Sequence, residues 1–262
     1  MSRLACFTLM SLGALQTFAL VARAQPVDEA PSHWNAGAAA QQGMLLPALI
    51  APGSARDSAA VTQFVAGYDS ARESAVMSAV GDVAVLGPVD LRFGLTYTPE
   101  VAEGEVQPHF GLRLRFLDQA HHGVDAAALV LYRMERFTED EGLIQGVFAL
   151  GRRFGPLGIF ANLAYGQDPE GDDREGEASL AALYAVSSPL QVGLESHLRV
   201  DLFSDDPNRE LRGDPTFELT AGPTAHYSIG PVALLAQAGV SAVEIDHVRV
   251  GVIALGGVGG AY

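Results

Sequence analysis

A strict alternation of apolar and polar residues over long stretches constrains the fold of this chain more than any other feature. In "LQVGLESHLRVDL", residues 190–202, every second side chain is apolar except Ser196, and the intervening residues are polar or glycine. Successive side chains of a strand point to opposite faces, whereas a helix would scatter this pattern around its circumference. The stretch therefore predicts a long strand with one apolar face and one polar face.

The same alternation recurs along most of the chain and predicts twelve strands. Most of them have 10 to 14 residues, which exceeds the roughly 5–6 residues typical of strands in soluble sheets. At about 3.3 Å per residue, tilted strands of this length match the apolar thickness of a membrane. The second strand is the least regular, because "ARESAVMSAV" is also compatible with the beginning of a helix. The predicted spans are 59–69, 74–86, 89–98, 106–117, 124–137, 143–154, 157–167, 177–187, 190–203, 215–229, 232–244 and 248–262.

The connections between these strands are of two kinds that alternate along the chain. One kind is short and nearly uncharged, as in "RRFGPLGIF", and a glycine that tolerates positive φ followed by a proline favours a tight turn. The other kind is acidic and longer. The predicted sheet therefore has tight turns at one end and polar loops at the other. The short connections are at Gly87-Pro88, 118–123, Gly155-Pro156, Ser188-Pro189 and Gly230-Pro231, and the acidic ones are "PEVAEGE", "TEDE", "QDPEGDDREGE" and "SDDPNRELRGD".

The first 58 residues differ from the rest of the chain. Residues 1–24 have the features of a secretory signal peptide, with Arg3 before a mostly apolar run and "ARA" before Gln25. Cys6 is the only cysteine, so the exported chain is expected to contain no thiol, disulfide or cysteine-ligated metal. Residues 25–58 show no alternation and are predicted to form a flexible leader or a plug, which leaves residues 59–262 for the barrel.

The charge balance excludes one class of partner. The chain contains 31 acidic residues against 16 lysines and arginines, and its formal net charge is −15. Proteins that bind nucleic acid depend on basic side chains that contact phosphates. We therefore expect no nucleic-acid partner.

Long antiparallel strands in up-and-down order favour a closed barrel, because closure removes the exposed sheet edges. The polar face carries charged residues, which suits a polar interior and a lipid-facing apolar exterior. In these features, and in its even strand count and aromatic last residue Tyr262, the chain resembles the outer-membrane β-barrels of Gram-negative bacteria over about residues 59–262. The resemblance implies an all-β, up-and-down antiparallel transmembrane β-barrel of about 12 strands, with 10–14 possible. It also implies a location in the cell outer membrane, in contact with lipid and lipopolysaccharide, with the tight turns in the periplasm.

The polar face supplies the candidate site residues. If the barrel encloses water, the arginines of the early strands line one wall and more acidic residues the other, an arrangement that selects small polar solutes. Alternatively, the charges pair across a filled interior and only stabilise the barrel. The predicted pore-lining residues are Arg92, Arg113, Arg115, Arg133, Glu135, Arg153, Glu195, His197, Arg199, Asp201, Glu218, His226 and Arg249.

Catalytic and metal-binding interpretations have less support. Ser196 and His197 are adjacent in a predicted strand and point to opposite faces, so they cannot form a nucleophile–base pair. The acidic segment 168–177 lacks the ligand order of an EF-hand, and Asp168, Glu170, Asp172 and Asp173 are only weak candidates for binding cations. We expect no enzyme activity, no cofactor and no metal centre.

The sequence thus predicts an outer-membrane β-barrel that acts as a narrow porin-like channel or transporter for small polar solutes. The alternative is a non-conducting structural or surface-interaction barrel with acidic extracellular loops. The identity of the solute and the oligomeric state are left open at this point.

Overall fold

Twelve antiparallel strands form a closed barrel in the computed structural model, which describes residues 60–99, 104–134, 142–171, 173–204, 215–244 and 247–261. Each strand pairs with its neighbours in sequence, and β1 pairs with β12 to close the barrel. The predicted all-β, up-and-down antiparallel fold is therefore confirmed. The strands are β1 (Ala60–Asp69), β2 (Ser74–Leu86), β3 (Val89–Pro99), β4 (Gly104–Leu117), β5 (Asp125–Met134), β6 (Gly142–Phe154), β7 (Leu157–Gln167), β8 (Asp173–Ala185), β9 (Leu190–Ser204), β10 (Phe217–Ile229), β11 (Val232–Glu244) and β12 (Val248–Ala261).

Two-residue Gly-Pro turns connect β2 to β3, β6 to β7 and β10 to β11. Gly87, Gly155 and Gly230 have φ angles of 54°, 56° and 58°, and a positive φ at the first central residue is what a type II′ hairpin turn requires. We call this end of the barrel the turn side and the opposite end the loop side. The connection from β4 to β5 also lies on the turn side and contains a single helical turn, α1 (Gln119–His122), which the alternation did not reveal.

The main difference from the predicted strands concerns β8, which begins at Asp173 instead of residue 177. The connection after β7 therefore contains only residues 168–172. The prediction of a long acidic loop at this place was wrong. Glu175 and Glu177 lie in the strand with buried side chains, held by basic partners inside the barrel. Because this part of β8 has no apolar residue on its outer face, the alternation gave no signal.

Some predictions fall outside the described residues. These are the signal peptide and leader in residues 1–59, the end of the fifth predicted strand with Glu135, and the last residue Tyr262. The cores of the acidic segments at 100–103, 135–141 and 205–214 also lie outside them.

The two faces of the barrel have opposite character. Large apolar side chains on the outer face are exposed, among them Phe93, Leu112 and Val130, and Phe110 packs against Tyr132 on the neighbouring strand at a ring-centroid distance of 5.7 Å. An outward apolar face with an inward polar face is typical of transmembrane barrels. Among the described residues, no helix is long and apolar enough to cross a membrane.

The interior also contains apolar residues, mainly toward the turn side. One cluster joins Phe160 and Leu183 with two alanines, and a second joins Leu129, Leu131 and Val147 with Ala149. These side chains occupy interior space that would otherwise be open. The charged interior residues are therefore set within a partly apolar filling.

Candidate solute cavity in the barrel interior

A cavity of about 200 Å³ lies inside the barrel toward the loop side. Its position follows from its lining: Arg72 lies in the turn between β1 and β2, Arg133 is the penultimate residue of β5, and Glu218 is the second residue of β10. Aliphatic side chains such as Leu131 and Ile253 complete the wall. The charged and imidazole side chains that line it are Asp69, Arg72, Arg92, His109, Arg133, Glu177, His197, Arg199 and Glu218.

Below the cavity, five charged residues of β2, β3 and β4 form a layer that we call the turn-side cluster. The Arg113 Nε donates a hydrogen bond to Asp90 Oδ2 at 2.8 Å, and the Arg115 Nη2 donates to Asp90 Oδ1 at 3.2 Å. Asp82 Oδ2 lies 3.6 Å from Arg92 Nη1 and 3.5 Å from Arg113 Nη1. The side chains of Asp90 and Arg113 are both 0% exposed, so solvent does not reach this ion pair.

A second group, the loop-side cluster, lies beside the cavity on β5, β6, β8 and β9. The Arg133 Nη2 donates to both carboxylate oxygens of Glu175 at 2.8 Å, and the Arg199 Nε donates to Glu175 Oε2 at 2.9 Å. Glu177 accepts a hydrogen bond from the Gln145 amide at 2.9 Å and lies 3.7 Å from Arg133. The side chains of Arg133 and Arg199 are 24% and 30% exposed, so the cationic partners of this cluster remain hydrated.

Arg72 connects the first strand to the far wall of the cavity. Its guanidinium forms an ion pair with Glu218 on β10 and lies 3.9 Å from Asp69. Asp69 in turn accepts a hydrogen bond from the Ser241 hydroxyl at 2.7 Å. These contacts link β1, β10 and β11 across the barrel interior.

A further buried polar group lies on β9, β10 and β11. His226 Nε2 lies 3.3 Å from Glu195 Oε1, and both side chains are fully buried. Nearby in the strand register, the side-chain amides of Gln191 and Gln237 make no hydrogen bond with any residue that the structure describes. The interior thus contains polar groups that no described residue satisfies.

The structure places the described members of the predicted pore-lining set on the inner side of the barrel. Arg92, Arg113 and Arg115 belong to the turn-side cluster, and Arg153 pairs with Asp125 at 3.2 Å near the turns. Arg133 and Arg199 belong to the loop-side cluster, while the remaining members are distributed over β9, β10 and β12. Their role in lining a conducting pore stays a prediction. The remaining members are Glu195, His197, Asp201, Glu218, His226 and Arg249.

The expected separation into a basic wall and an acidic wall is weaker than the sequence suggested. Each predicted arginine of β3 to β6 has a carboxylate within 4 Å, supplied either from a neighbouring strand or from across the barrel. This pairing compensates most of the charge locally. The five pairs are Arg92–Asp82, Arg113–Asp90, Arg115–Asp90, Arg133–Glu175 and Arg153–Asp125.

Sequence reasoning missed several interior charges. Asp82 occupies an inward position of β2, and the alternation of that strand could have identified it. Glu175 was assigned to a loop, and Glu177 to the boundary between that loop and the strand, because β8 was predicted to begin too late. Arg72 lies in a turn, so no periodicity marks it.

A different serine–histidine contact does exist inside the barrel. The Ser179 hydroxyl lies 3.3 Å from His197 Nδ1, whereas Ser196 pairs in the outward register opposite Leu180. Ser179 is buried and does not belong to the cavity lining. A substrate in the cavity would therefore not reach its hydroxyl, and the contact does not favour a hydrolase.

The weak cation candidates are not gathered into a site. Asp168 Oδ1 accepts a hydrogen bond from the backbone N–H of Glu170, Asp173 begins β8, and Asp172 lies outside the described residues. Within the part of the chain that the structure describes, no group of three or more histidine, cysteine, aspartate or glutamate side chains is arranged to hold a metal ion.

Known proteins resemble this chain in fold, but neither a family model nor a curated protein matches its sequence. Among solved structures, the NanC porin has a TM-score of 0.54 with 12% identity over 77% of this chain and 100% of that protein. The COG4313 outer-membrane channel from Pseudomonas putida F1 has a TM-score of 0.50 with 12% identity over 78% and 94% of the two chains. LpxR from Salmonella typhimurium has a TM-score of 0.47 with 11% identity over 78% and 100%.

The sequence identities between these proteins and this chain are low, so the shared feature is the architecture of the barrel. The first two of these structures, with TM-scores of 0.54 and 0.50, are described as a porin and an outer-membrane channel. The closed twelve-strand barrel with an apolar exterior and a charged interior therefore has a porin-like fold.

Proposed function

We propose that this protein is an outer-membrane barrel that acts as a narrow channel for small polar solutes, which enter the interior from the loop side. The observation that carries the proposal is the charged cavity of about 200 Å³ inside a porin-like barrel. Oriented charges on the wall of such a cavity replace part of the hydration shell of a polar solute and select it by charge.

The apolar exterior supports the location in a membrane. Soluble monomers rarely expose contiguous apolar patches of more than a few hundred Å², whereas here exposed large apolar side chains occur on strands all around the barrel. Expression of the full chain in a Gram-negative host followed by fractionation tests this part. We expect recovery with the outer membrane, and recovery in the soluble fraction would overturn the proposal.

The size of the cavity limits the solute. Pockets that enclose drug-sized ligands have volumes of roughly 300–1,000 Å³, and this cavity is smaller. We therefore expect passage of inorganic ions and small metabolites, and exclusion of oligosaccharides.

Passage requires the turn-side cluster to open. Asp90 and Arg113 are fully buried, so a solute that leaves the cavity toward the turns must displace the ion-paired layer. In the proposed channel this layer is the gate. We therefore expect brief openings of small conductance.

The same layer favours the second candidate function, a non-conducting barrel. A buried and ion-paired layer also closes the interior permanently if the side chains never separate. Under this alternative, the barrel contributes a surface on the outside of the cell and transports nothing.

Planar-bilayer recordings of the full chain decide between the two. We expect small conductance steps from the wild-type barrel and more frequent openings from Asp82→Asn, because Arg92 and Arg113 lose the carboxylate that they share. Asp118→Asn, which changes a turn residue outside the barrel interior, is the matched control and should resemble wild type. Absence of any steps in both wild type and Asp82→Asn would leave the non-conducting barrel.

A further inference from the structure

The floor of the cavity carries cationic groups whose hydrogen-bonding capacity is not used. Arg92 lines the cavity and its side chain is only 4% exposed. Its contact with Asp82 is an ion pair at 3.6 Å, and among the described residues it has no hydrogen-bond acceptor. A guanidinium has five N–H donors in a fixed planar fork, so most donors of Arg92 are free to bind a ligand.

The group beneath Arg92 is also incompletely paired. Arg113 uses its Nε on Asp90, but its Nη1 and Nη2 are buried and have no hydrogen-bond acceptor among the described residues. One oxygen of Asp82 is shared between Nη1 of Arg92 and Nη1 of Arg113 at 3.6 and 3.5 Å. These distances are too long for normal hydrogen bonds, so the two guanidinium groups share an ion pair with one carboxylate and make no normal hydrogen bond to it.

The charges of the turn-side cluster do not cancel. Among the residues that the structure describes, three arginines of this cluster face two aspartates, which leaves one positive charge in excess in a layer that is largely removed from solvent. A buried charge without a counter-charge is strongly unfavourable. An anion placed above Arg92 would compensate it.

Further donors line the same cavity on the loop side of Arg92. Ser78 lines the cavity, and its buried hydroxyl has no hydrogen-bond partner among the described residues. The His109 ring packs over Gly94, where an added Cβ would lie 2.4 Å from His109 Nε2. Gly94 is therefore required for the imidazole to occupy the cavity wall beside Arg92. Thr96 completes this wall on the same strand.

We propose that Arg92, with Ser78 and His109, forms a binding site for one small oxyanion, a carboxylate or a phosphate, at the floor of the cavity. The fork of Arg92 matches the spacing of two oxygens of such an anion. The excess positive charge of the turn-side cluster supplies the long-range attraction. The site rests on the proposed function because its ligand enters through the same cavity, and it names the class of solute that the channel favours.

Isothermal titration of the refolded full chain in detergent tests the site without requiring conduction. Inorganic phosphate and acetate are titrated separately at constant ionic strength. Since a hydrogen bond to a charged group contributes about 1.5–3 kcal/mol and 1.4 kcal/mol corresponds to tenfold in affinity, Arg92→Met should weaken binding about tenfold or more. Arg174→Met removes the same charge from an exposed side chain that lies over Phe203, and it should change affinity less than twofold.

Arg92→Lys distinguishes the effect of the charge from the effect of the guanidinium geometry. It also provides a test variant if Arg92→Met does not fold. It keeps the charge but loses the fork, so binding should weaken several-fold. Binding of either anion that depends on Arg92 supports the site and shows whether phosphate or carboxylate is preferred. Absence of binding in wild type, or equal affinities in wild type and the Arg92 variants, overturns it.

The two proposals fail in different ways. If phosphate or acetate binds in an Arg92-dependent manner but no conductance steps occur, the anion site is supported and the channel proposal is overturned. If conductance steps occur but neither anion binds in an Arg92-dependent manner, the anion site is overturned and the channel proposal is supported.

Discussion

The two halves of the barrel interior use the same residue types in different environments. In the turn-side half, Asp90 and Arg113 form a fully buried ion pair, and Leu129 of an apolar cluster lies opposite Arg113 in the strand register. In the loop-side half, Glu175 joins Arg133 and Arg199, whose side chains are 24% and 30% exposed around a cavity. One half is a packed interior with ion pairs, and the other is a hydrated site with ion pairs.

Loss of an ion pair should therefore reduce stability by different amounts in the two halves. Removing one partner of a buried pair leaves an uncompensated charge and costs about 3–5 kcal/mol. Exposed pairs contribute about 0–1 kcal/mol because solvent replaces the lost partner. Charges of the turn-side half that lie away from the cavity should therefore determine stability and closure, while charges that line the cavity, Arg92 among them, should determine which solute enters.

The largest expected effect is on stability in the turn-side half. Asp90→Asn keeps the shape of the side chain but removes its charge, which leaves Arg113 buried and the cluster with two positive charges in excess. We expect the free energy of unfolding to fall by about 3 kcal/mol or more, measured as the midpoint of urea unfolding in lipid vesicles.

The control for Asp90→Asn is the same change at an exposed position. Asp118 pairs with His121, whose side chain is 70% exposed, and caps α1, so Asp118→Asn should cost about 1 kcal/mol or less. Equal losses for the two variants would show that the turn-side half is as hydrated as the surface.

An intermediate effect is expected in the loop-side half, where Glu175→Gln leaves Arg133 and Arg199 without their shared carboxylate. Because both arginines remain partly hydrated, we expect a stability loss of about 1–2 kcal/mol. The added positive charge beside the cavity should shift the selectivity of the channel toward anions. The reversal potential across a bilayer with a KCl gradient measures this shift, and a shift toward cations would contradict the assignment of Glu175 to the solute path.

The smallest effect is expected at Thr220, near the loop-side end of β10. Thr220 lines the cavity, but its hydroxyl is buried and has no hydrogen-bond partner among the described residues. Replacing a buried unsatisfied hydroxyl by a methyl group is neutral or stabilising, so Thr220→Val should raise the free energy of unfolding by up to about 1 kcal/mol, measured as a slightly higher urea midpoint. A lower midpoint would show that the Thr220 hydroxyl is hydrated in the folded barrel.

The sequence predicted the strands well because the two solvents of a transmembrane barrel impose alternation on most of them. Even the irregular second strand has the predicted bounds, Ser74–Leu86. The prediction failed at the beginning of β8, where Arg174 and Gly176 supply no apolar outer face. It also missed α1, because a single helical turn in a connection carries no periodic signal.

The inward direction of the predicted charges followed from the same alternation, but their partners did not. Arg113 and Asp90 are 23 residues apart, and Arg72 and Glu218 are 146 residues apart. Which charges meet across the interior depends on the register of the strands and on the closure of β1 against β12.

By itself, the sequence determined the strand order, the outer and inner faces and the end that carries the tight turns, since each follows from local periodicity and turn chemistry. Only the tertiary structure decided that the turn-side half is packed, that the loop-side half contains a cavity and that Arg92 lies at its floor. The physical reason is that the width of the interior and the pairing of its charges depend on residues from strands far apart in the chain. Closure of the barrel brings these residues together.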